Sequence, residues 1–458
     1  MELLTKMIEI IIANLWNRLL HAFRPRLKGG LFLGFLLADG RITKNKIFLP
    51  QRARSEHLVI IGKTGTGKSY FLRSLCVQDI GRRGFVYFDH HGDTTPALLS
   101  LIADEEKRSG TDLSSRVIVI RPADPEWTVG FNPLDEVDQQ RQFVEVAGIA
   151  GVLKERWGLT NLGAQTEELL RNTLHVLADS CQTLLEATPL LSNSSFRNVC
   201  LKQVRNHDVR EYFEDRYEPM SEGMKATVRN PVLNKLSEFV SDIHFRHILG
   251  QRRSTFSFLD ALENGQIVLV DLSKGKLGKH SNTLASLLFS QIHNAIFRRR
   301  SREIYTLYCD EIQNLVSAET DIESLFSEAR KFAVSIASAN QFLEQFPRTM
   351  RSAIQAVGTH VAFQTSAEDA TTMASMLDGG RVVADALKSL PHRQFIAKLG
   401  SFPWVHVQVP ALKPCRQPFQ DLLARSNARF ARRRDAVETE IQNRRPRKTK
   451  TEVLDAWD

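Results

Sequence analysis

The sequence predicts an α/β fold in which helices cover a mostly parallel sheet and an all-helical segment interrupts the chain. Two observations support this prediction. Short apolar strands alternate with helical segments both before and after a long middle region. In that middle region, residues 138–253, helical periodicity dominates and strand-like apolar runs are missing. We therefore expect one domain whose two parts flank a helical insertion.

The strands and helices are predicted from the apolar runs and the turns between them. Residues 30–50 have the pattern of short strands joined by polar turns, which indicates a small β lead-in. The strand HLVIIG follows and begins the α/β pattern. The later elements, in chain order, are a helix at 68–78, a strand at 84–89, a helix at 96–106, the strand RVIVIRP, a strand at 265–273, a helix at 282–300, and the strands IYTLYCD, FAVSIASAN and HVAFQTS.

Both ends of the chain differ in composition from the α/β parts. The first segment is apolar at helical spacing but carries Lys6, Glu9 and Arg18. It is predicted as an amphipathic helix that packs on its own protein or a neighbouring subunit, or else docks on a membrane face. The last segment is arginine-rich and is predicted as a helix that frays into a tail, bound to a partner or simply solvated. The predicted segments are 1–28, 29–137, 138–253, 254–412 and 413–458.

Composition limits the classes of function. With 458 residues, 42% hydrophobic and 25% charged, the chain resembles a globular enzyme. A formal net charge of +9 suits a polyanionic partner. The five cysteines show no C-x-x-C spacing, which argues against a zinc site or a disulfide framework and favours a reducing compartment. Every apolar run is far shorter than the roughly 20 residues of a membrane span. We therefore expect a cytoplasmic protein that is at most peripheral at the inner membrane face.

A glycine-rich loop between a strand and a helix carries the clearest chemical signal. It satisfies G-x-x-x-x-G-K-[ST]. Glycines let backbone N–H groups turn toward phosphate oxygens, Lys68 offsets the β and γ charges, and Ser69 supplies a ligand to magnesium. We therefore predict that the chain binds ATP and Mg2+. The predicted binding residues are Gly62, Lys63, Thr64, Gly65, Thr66, Gly67, Lys68, Ser69 and Tyr70.

An acidic pair at the end of the strand IYTLYCD completes the predicted site. Asp310 is expected to hold the magnesium shell, and Glu311 to polarise the attacking water as a general base. Two solvated carboxylates at a strand end are the alternative. The strand before them is apolar and the phosphate-binding loop needs such a partner, so we favour the catalytic interpretation. Glu311 also separates the chain from switch GTPases, which bear a glutamine or nothing at this place.

Two further strand ends carry polar residues. The strand FAVSIASAN ends in Asn340 and is followed by Gln341, and an amide there can contact the γ-phosphate and the water together. We assign Gln341 a catalytic role, with a turn or capping role as the alternative. The motif DHHGD, residues 89–93, pairs two histidines with two aspartates. Neighbouring residues of a strand point apart, so a metal site is disfavoured and Asp89 is expected to border the nucleotide pocket.

These motifs together resemble the HerA/FtsK class of hexameric DNA-pumping ATPases, and within it the type IV secretion coupling-protein branch of conjugative DNA transfer. The runs that carry the resemblance are HLVIIGKTGTGKS, VYFDHHGD, GFNPLD, IVLVDLSKGKLG, YCDEIQNLV, SEARKFAVSIASANQ and GTHVAFQTSAEDA. The similarity spans about residues 30–410. It implies a RecA-like P-loop domain, a homo-hexameric ring and DNA as the substrate. The chain departs from the pattern at His90, where the family usually has proline, and in lacking the transmembrane helices of anchored coupling proteins.

The resemblance also implies functional elements outside the phosphate-binding loop. A neighbouring subunit is expected to supply an arginine to the site, and Arg330 is the first candidate, with a helix-capping role as the alternative. The basic, glycine-containing run LSKGKLGKH, residues 272–280, is a candidate DNA-gripping loop, with a solvated loop as the alternative. The helical insertion is expected to select the substrate or its attached relaxase.

The favoured function is therefore an ATP-driven DNA translocase. Three alternatives stay open at this stage. One is a type IV secretion ATPase that moves protein, one is a soluble HerA-like helicase that works with a nuclease in repair or defence, and one is a nucleotide-gated assembly protein that hydrolyses too slowly to pump. The corresponding partners would be a relaxase, a secretion channel or a nuclease.

Overall fold

The computed structural model describes residues 30–135, 140–159, 163–317, 322–346 and 348–444. The amphipathic helix predicted at residues 1–28 lies outside the described residues, as does the end of the predicted basic tail. Among the helices of the described ranges, none is long and apolar enough to cross a membrane.

A large sheet forms the centre of the molecule. Its strands are β1 (Leu31–Ala38), β2 (Arg41–Leu49), β3 (Leu58–Ile61), β4 (Phe85–Asp89), β5 (Val117–Ile120), β7 (Ile267–Asp271), β8 (Tyr305–Asp310), β9 (Val334–Asn340), β10 (Thr359–Ala362), β11 (Gln394–Leu399) and β12 (Val405–Gln408). A separate short pair joins β6 (Trp127–Thr128) to β13 (Arg432–Arg433).

In the described chain the large sheet has 11 strands in the order β2-β1-β12-β11-β10-β3-β9-β8-β4-β7-β5. All neighbours from β10 to β5 are parallel, and β2, β1, β12 and β11 extend the sheet with antiparallel pairs. The prediction of an α/β fold with a mostly parallel sheet is therefore confirmed.

Helices fill the connections between the strands. They are α1 (Gln51–Arg54), α2 (Lys68–Asp79), α3 (Thr94–Ser109), α4 (Gln142–Arg156), α5 (Ala164–Asp179), α6 (Ala187–Ser192), α7 (Ser194–Leu201), α8 (His207–Glu211), α9 (Glu222–Ser241), α10 (Ile243–Leu249), α11 (Phe258–Glu263), α12 (Lys274–Leu277), α13 (Ser281–Arg298), α14 (Ile322–Glu328), α15 (Arg348–Gln355), α16 (Ala367–Met376), α17 (Gly380–Leu387), α18 (Gln420–Phe430) and α19 (Arg434–Asn443).

The core lies on both faces of the sheet. Strand β3 shows why, because its side chains alternate between the faces. Val59 and Ile61 pack into one apolar cluster, whereas Leu58 and Ile60 pack into another. Since both faces are buried, the parallel strands are continuous apolar runs, which made them visible in the sequence. The cluster of Val59 continues into helices α4 to α10, so the helical segment shares the core of the sheet.

The antiparallel edge was only partly predicted. The expected β lead-in is present as β1 and β2, and it joins the main sheet because β1 pairs with β12. Strands β11 and β12 were not predicted, since β12 alternates apolar and polar residues over only 4 residues and the apolar run of β11 covers only residues 395–397. In the described part of the predicted basic tail, α18 and α19 pack against the fold, whereas the residues that follow Arg444 lie outside the described range. Arg425 contacts Glu106 and Asp112 of the domain, which holds α18 in place.

Candidate active site

The polar residues singled out in the sequence gather at one edge of the sheet. Strands β3, β9 and β8 are adjacent and parallel, so their carboxyl ends meet. The glycine loop follows β3, Gln341 follows β9, and Asp310 ends β8. Ligands of open α/β sheets bind in such a position, outside the carboxyl ends of the strands. We call this the carboxyl edge.

The loop at residues 62–67, here called the phosphate loop, requires its glycines. Gly65 and Gly67 have φ angles of 79° and 109°, a region that side-chain-bearing residues rarely adopt. At Gly62, an added Cβ would lie 2.6 Å from the Cβ of Phe363. Helix α2 begins directly after the loop, so the loop and the helix N-terminus form a cradle that suits phosphate.

Lys68 and Asp310 are buried charged groups. In the part of the chain that the structure describes, neither forms a hydrogen bond to a charged group. The Lys68 ammonium donates to the Lys63 carbonyl oxygen over 2.9 Å. Burial lowers the pKa of Lys68, against the opposing effect of the two neighbouring carboxylates. Burial likewise raises the pKa of Asp310, which its hydrogen bond from Ser69 only partly opposes. Such shifts mark groups that await a ligand of opposite charge.

The pair Ser69 and Asp310 fits a magnesium ion. The Ser69 hydroxyl donates to Oδ2 of Asp310 over 2.7 Å, although the two residues are 241 positions apart. A hydroxyl and a carboxylate are hard oxygen ligands of the kind that Mg2+ takes in nucleotide sites. The structure therefore brings together the two residues that the sequence predicted as metal ligands.

Glu311 is held by amides on both of its oxygens. Gln341 donates from Nε2 to Oε1 of Glu311 over 2.8 Å, and Asn314 donates from Nδ2 to Oε2 over 2.8 Å. Glu311 itself has a φ of 60°, a conformation that is strained for a non-glycine residue and common at functional sites. The hydroxyl of Thr64 donates to Oε1 of Gln341 over 3.0 Å. A hydrogen-bonded chain thus runs from the phosphate loop through Gln341 to Glu311.

Asn314 was missed in the sequence because nothing in YCDEIQNLV distinguishes it from an ordinary amide after a strand. Asn340, by contrast, is fully buried and its side chain donates to Oε1 of Gln313. The neighbouring amides therefore differ in role, because Gln341 contacts the phosphate loop and Glu311 whereas Asn340 contacts Gln313.

The motif DHHGD lies at the end of β4, the strand next to β8, and its first aspartate is held by hydrogen bonds within the chain. Asp89 accepts hydrogen bonds from the N–H groups of Gly92, Thr94 and Thr95 and from the Thr95 hydroxyl. It therefore fixes the start of α3, and its expected place at the border of the nucleotide pocket stays a prediction. His90 is buried, and burial lowers its pKa.

Of two further predicted elements, Arg330 lies far from the phosphate loop of its own chain, and the run 272–280 differs in form from the expected one. Arg330 precedes β9 and is exposed at the opposite edge of the sheet. Strand β9 separates it from the phosphate loop of its own chain by roughly 20 Å at the usual rise per residue. The run 272–280, expected as a glycine-mobile loop, is mostly helical and contains α12. Lys274 and Lys276 are exposed there.

Residues of the loop before β11 contact the phosphate loop and were not predicted. His392 Nδ1 lies 2.8 Å from the Gly65 carbonyl oxygen, and the Arg393 N–H donates to the Thr66 carbonyl oxygen over 2.9 Å. His392 and Gly65 are 327 positions apart, so no local pattern could have connected them.

Comparison with known proteins places these observations in a family. The model of the family described as "Helicase HerA, central domain" matches residues 31–299. That match includes the phosphate loop and ends before Asp310. No curated protein sequence matches significantly.

Solved structures share the fold at low sequence identity. The plasmid coupling protein TrwB in complex with the ATP analogue ADPNP has a TM-score of 0.60 and 16% identity, covering 87% of this chain and 98% of that one. TrwB with ADP and Mg2+ has a TM-score of 0.55 and 17% identity, covering 86% and 99%. VirB4 of Thermoanaerobacter pseudethanolicus has a TM-score of 0.54 and 15% identity, covering 86% and 98%.

Proposed function

The chain belongs to the family of the HerA helicase central domain, and from this membership we propose that it is an ATPase that translocates DNA. The expected resemblance to the HerA/FtsK class is confirmed by the family match, and the fold is that of TrwB and VirB4. The observation that carries the proposal is the chain of hydrogen bonds from Thr64 through Gln341 to Glu311. It links the place of the phosphates to the predicted base.

We assign ATP binding to the phosphate loop and the start of α2. Their N–H groups donate hydrogen bonds to the phosphate oxygens, and Lys68 faces the β and γ charges. Ser69 and Asp310 would hold Mg2+, which would supply positive charge to the phosphates. TrwB has been solved with an ATP analogue and with ADP and Mg2+, which supports the same ligands here.

We assign Glu311 as the general base. Each of its oxygens receives one amide hydrogen bond and keeps a second lone pair with which to accept the proton of the attacking water. Gln341 orients this carboxylate and contacts Thr64 of the phosphate loop. The Gln341 amide therefore connects the place of the γ-phosphate to β9. Such a connection suits a motor in which hydrolysis must be transmitted to the rest of the protein.

We propose a homo-hexameric ring in which Arg330 acts on a neighbouring subunit. The residue is exposed and lies at the edge opposite its own phosphate loop, so it can serve only the loop of another copy. Mixing two inactive variants tests this directly. Arg330→Ala and Lys68→Ala subunits, each inactive alone, should recover part of the turnover when mixed, because some interfaces then combine an intact loop with an intact arginine. Mixed rings as inactive as either parent would contradict the trans assignment.

We propose that DNA is gripped through its phosphates without sequence preference. The exposed Lys274 and Lys276 on α12 follow β7 at the carboxyl edge and can meet a polyanion near the site. Lysine contacts to phosphate release counterions, so binding weakens as salt rises. The helical segment between β6 and β7 is proposed to select the substrate or a relaxase, secretion-channel or nuclease partner.

Steady-state ATP hydrolysis with and without DNA tests this function. We expect double-stranded or single-stranded DNA to stimulate turnover and added salt to reduce the stimulation. Changing Lys274 and Lys276 to Gln should lower the stimulation and leave basal hydrolysis unchanged. Hydrolysis that depends on Lys68 but is indifferent to every DNA would contradict the proposal and favour transport of a protein substrate.

A further inference from the structure

The phosphate loop is held differently on its two sides. Strand β3 lies between β9 and β10. On the β9 side, the Gly62 N–H donates to the Asn340 carbonyl oxygen over 3.1 Å, and Gln341 also contacts Thr64 through side chains. On the β10 side the contacts are made mainly by backbone atoms: the Lys63 N–H donates to the Gln364 carbonyl oxygen over 2.8 Å, and the Arg393 N–H donates to that of Thr66 over 2.9 Å. The two sides therefore present different chemistry to a bound nucleotide.

The positions of the assigned γ-phosphate contacts indicate which end of the nucleotide lies on which side of the phosphate loop. Gln341, which is assigned to the γ-phosphate end, contacts Thr64 on the β9 side, and Asp310, which is assigned to the magnesium ion, contacts Ser69 at the end of β8. The remaining phosphates follow the N–H groups of the loop and of the first turn of α2. The nucleoside must then leave the loop near Tyr70, on the β10 side, where the loop before β11 lies.

A planar cation is fixed at that position. The guanidinium carbon of Arg393 lies 4.0 Å from the ring centre of Tyr70. The Tyr70 hydroxyl accepts a hydrogen bond from the Leu412 N–H over 2.5 Å, and the Arg393 carbonyl oxygen accepts one from the Val409 N–H over 2.9 Å. Leu412 and Val409, which follow β12, therefore fix the positions of Tyr70 and Arg393.

The Arg393 side chain shows further signs of a ligand-directed role. Its backbone has a φ of 62°, a strained conformation for a residue with a side chain. Its Nε atom is buried and has no hydrogen-bond partner among the residues that the structure describes. A guanidinium stacks well on flat π systems, and every nucleobase has a π face.

We propose that the Arg393 guanidinium, backed by the Tyr70 ring, is the platform on which the purine base of the bound nucleoside triphosphate stacks. This assignment rests on the proposed ATP-binding function and extends it to the base. The platform contacts the flat face of the base and makes no hydrogen bond to its edges. It therefore favours the larger purines over pyrimidines and separates adenine from guanine poorly.

Equilibrium binding of two probes to the full chain tests the platform. ATP carries a base, whereas inorganic tripolyphosphate carries only the phosphates, and both are measured with Mg2+. Arg393→Ala should weaken ATP binding about 10-fold, the size of one stacked base, and leave tripolyphosphate binding unchanged. The alanine variant keeps the N–H that donates to Thr66, so the phosphate loop stays anchored. Equal weakening of both probes, or no change for ATP, would overturn the assignment.

Two control variants separate stacking from charge and position. Arg393→Lys keeps the charge but loses the planar face, so it should behave like the alanine variant. Arg73→Ala removes another guanidinium, which lies 5.3 Å from the Tyr70 ring centre but one turn further along α2, and should leave ATP binding unchanged. Wild-type ATP affinity in Arg393→Lys, or weakened ATP binding in Arg73→Ala, would contradict the platform.

The same assay distinguishes failure of the platform from failure of the proposed function. Lys68→Ala should weaken the binding of both probes, because the lysine faces the phosphates. Should wild-type protein bind neither probe, or Lys68→Ala bind both normally, the proposed ATP site itself would be wrong and the platform with it.

Discussion

Buried charges lie both at the carboxyl edge of the sheet and at the opposite edge, where the parallel strands begin and which we call the amino edge. The contacts of these charges differ between the two edges. At the amino edge, Arg54 is 1% exposed and donates to both oxygens of Asp79, with 2.9 Å between Nη1 and Oδ1. Tyr308 also donates to Asp79 over 2.8 Å, and Arg54 donates to Thr306 over 2.7 Å. The two opposite charges of this cluster are therefore paired within the chain, although Nε of Arg54 has no hydrogen-bond partner among the described residues.

At the carboxyl edge the charges are left for a ligand. Lys68 donates to a backbone carbonyl and Asp310 accepts from a hydroxyl, and burial shifts the pKa of each toward its neutral form. A buried charge that is paired with an opposite charge therefore indicates a structural role. A buried charge whose hydrogen-bond partners are all neutral indicates a binding site. Four substitutions can break or sharpen this comparison.

The largest effect is expected at Glu311. Replacing it by Gln preserves its size but removes the base, so turnover should fall about 10²-fold to 10⁴-fold. ATP binding and thermal stability should be unchanged, since Glu311 touches neither the loop backbone nor the core. Steady-state hydrolysis and equilibrium ATP binding measure the two effects. Near-normal turnover of the variant would show that Glu311 is not the base.

The next largest effect is expected at the amino edge, and on stability. Arg54→Met leaves Asp79 buried without its cation, which should lower the free energy of unfolding by about 3–5 kcal/mol. The double variant Arg54→Met with Asp79→Leu removes both charges and should recover most of that loss, with normal hydrolysis. Urea denaturation measures the stability of each. A double variant as unstable as the single one would show that the pair itself stabilises the fold.

A smaller effect on turnover is expected at Gln341. Gln341→Ala removes a hydrogen bond to a charged carboxylate, and turnover should fall about 10-fold to 100-fold. Gln364→Ala is the matched control, because this amide lies on the β10 side and donates to the Lys388 carbonyl oxygen. Its turnover should be normal. Equal losses in both variants would contradict a specific link between Gln341 and Glu311.

The smallest effect concerns the pH dependence of stability at Asp310. Its pKa is raised from the ordinary 3.8 by burial, so the folded state prefers the protonated form. The stability that protonation contributes is complete below pH 3.8 and is lost as the pH rises through the folded pKa. Asp310→Asn should therefore raise the free energy of unfolding at pH 7 by about 0.5–2 kcal/mol and abolish hydrolysis.

That gain should shrink at acid pH, where wild-type Asp310 is already protonated. Urea denaturation without Mg2+ or nucleotide, at pH 7 and at acid pH, provides the measurement. A variant less stable than wild type at pH 7 would contradict the origin of the raised pKa in burial.

Residues in local patterns were predicted, and those joined only by the fold were not. The phosphate loop is contiguous, and Asp310 and Gln341 stand at the ends of apolar strands, so spacing and strand order located them. Arg393 bears no such signal, because its contact with Thr66 is created only by the fold, and Asn314 bears none because an amide after a strand is common. The antiparallel strands β11 and β12 were missed for a related reason, since their apolar stretches are shorter than the continuous runs of the parallel strands.

Displacement of a third DNA strand from a triplex tests ATP-driven translocation most directly. The purified chain with ATP and Mg2+ should displace the third strand, and displacement should stop with Glu311→Gln or a non-hydrolysable ATP analogue. ATP hydrolysis by the wild-type chain without any displacement would contradict translocation and favour a nucleotide-gated assembly protein.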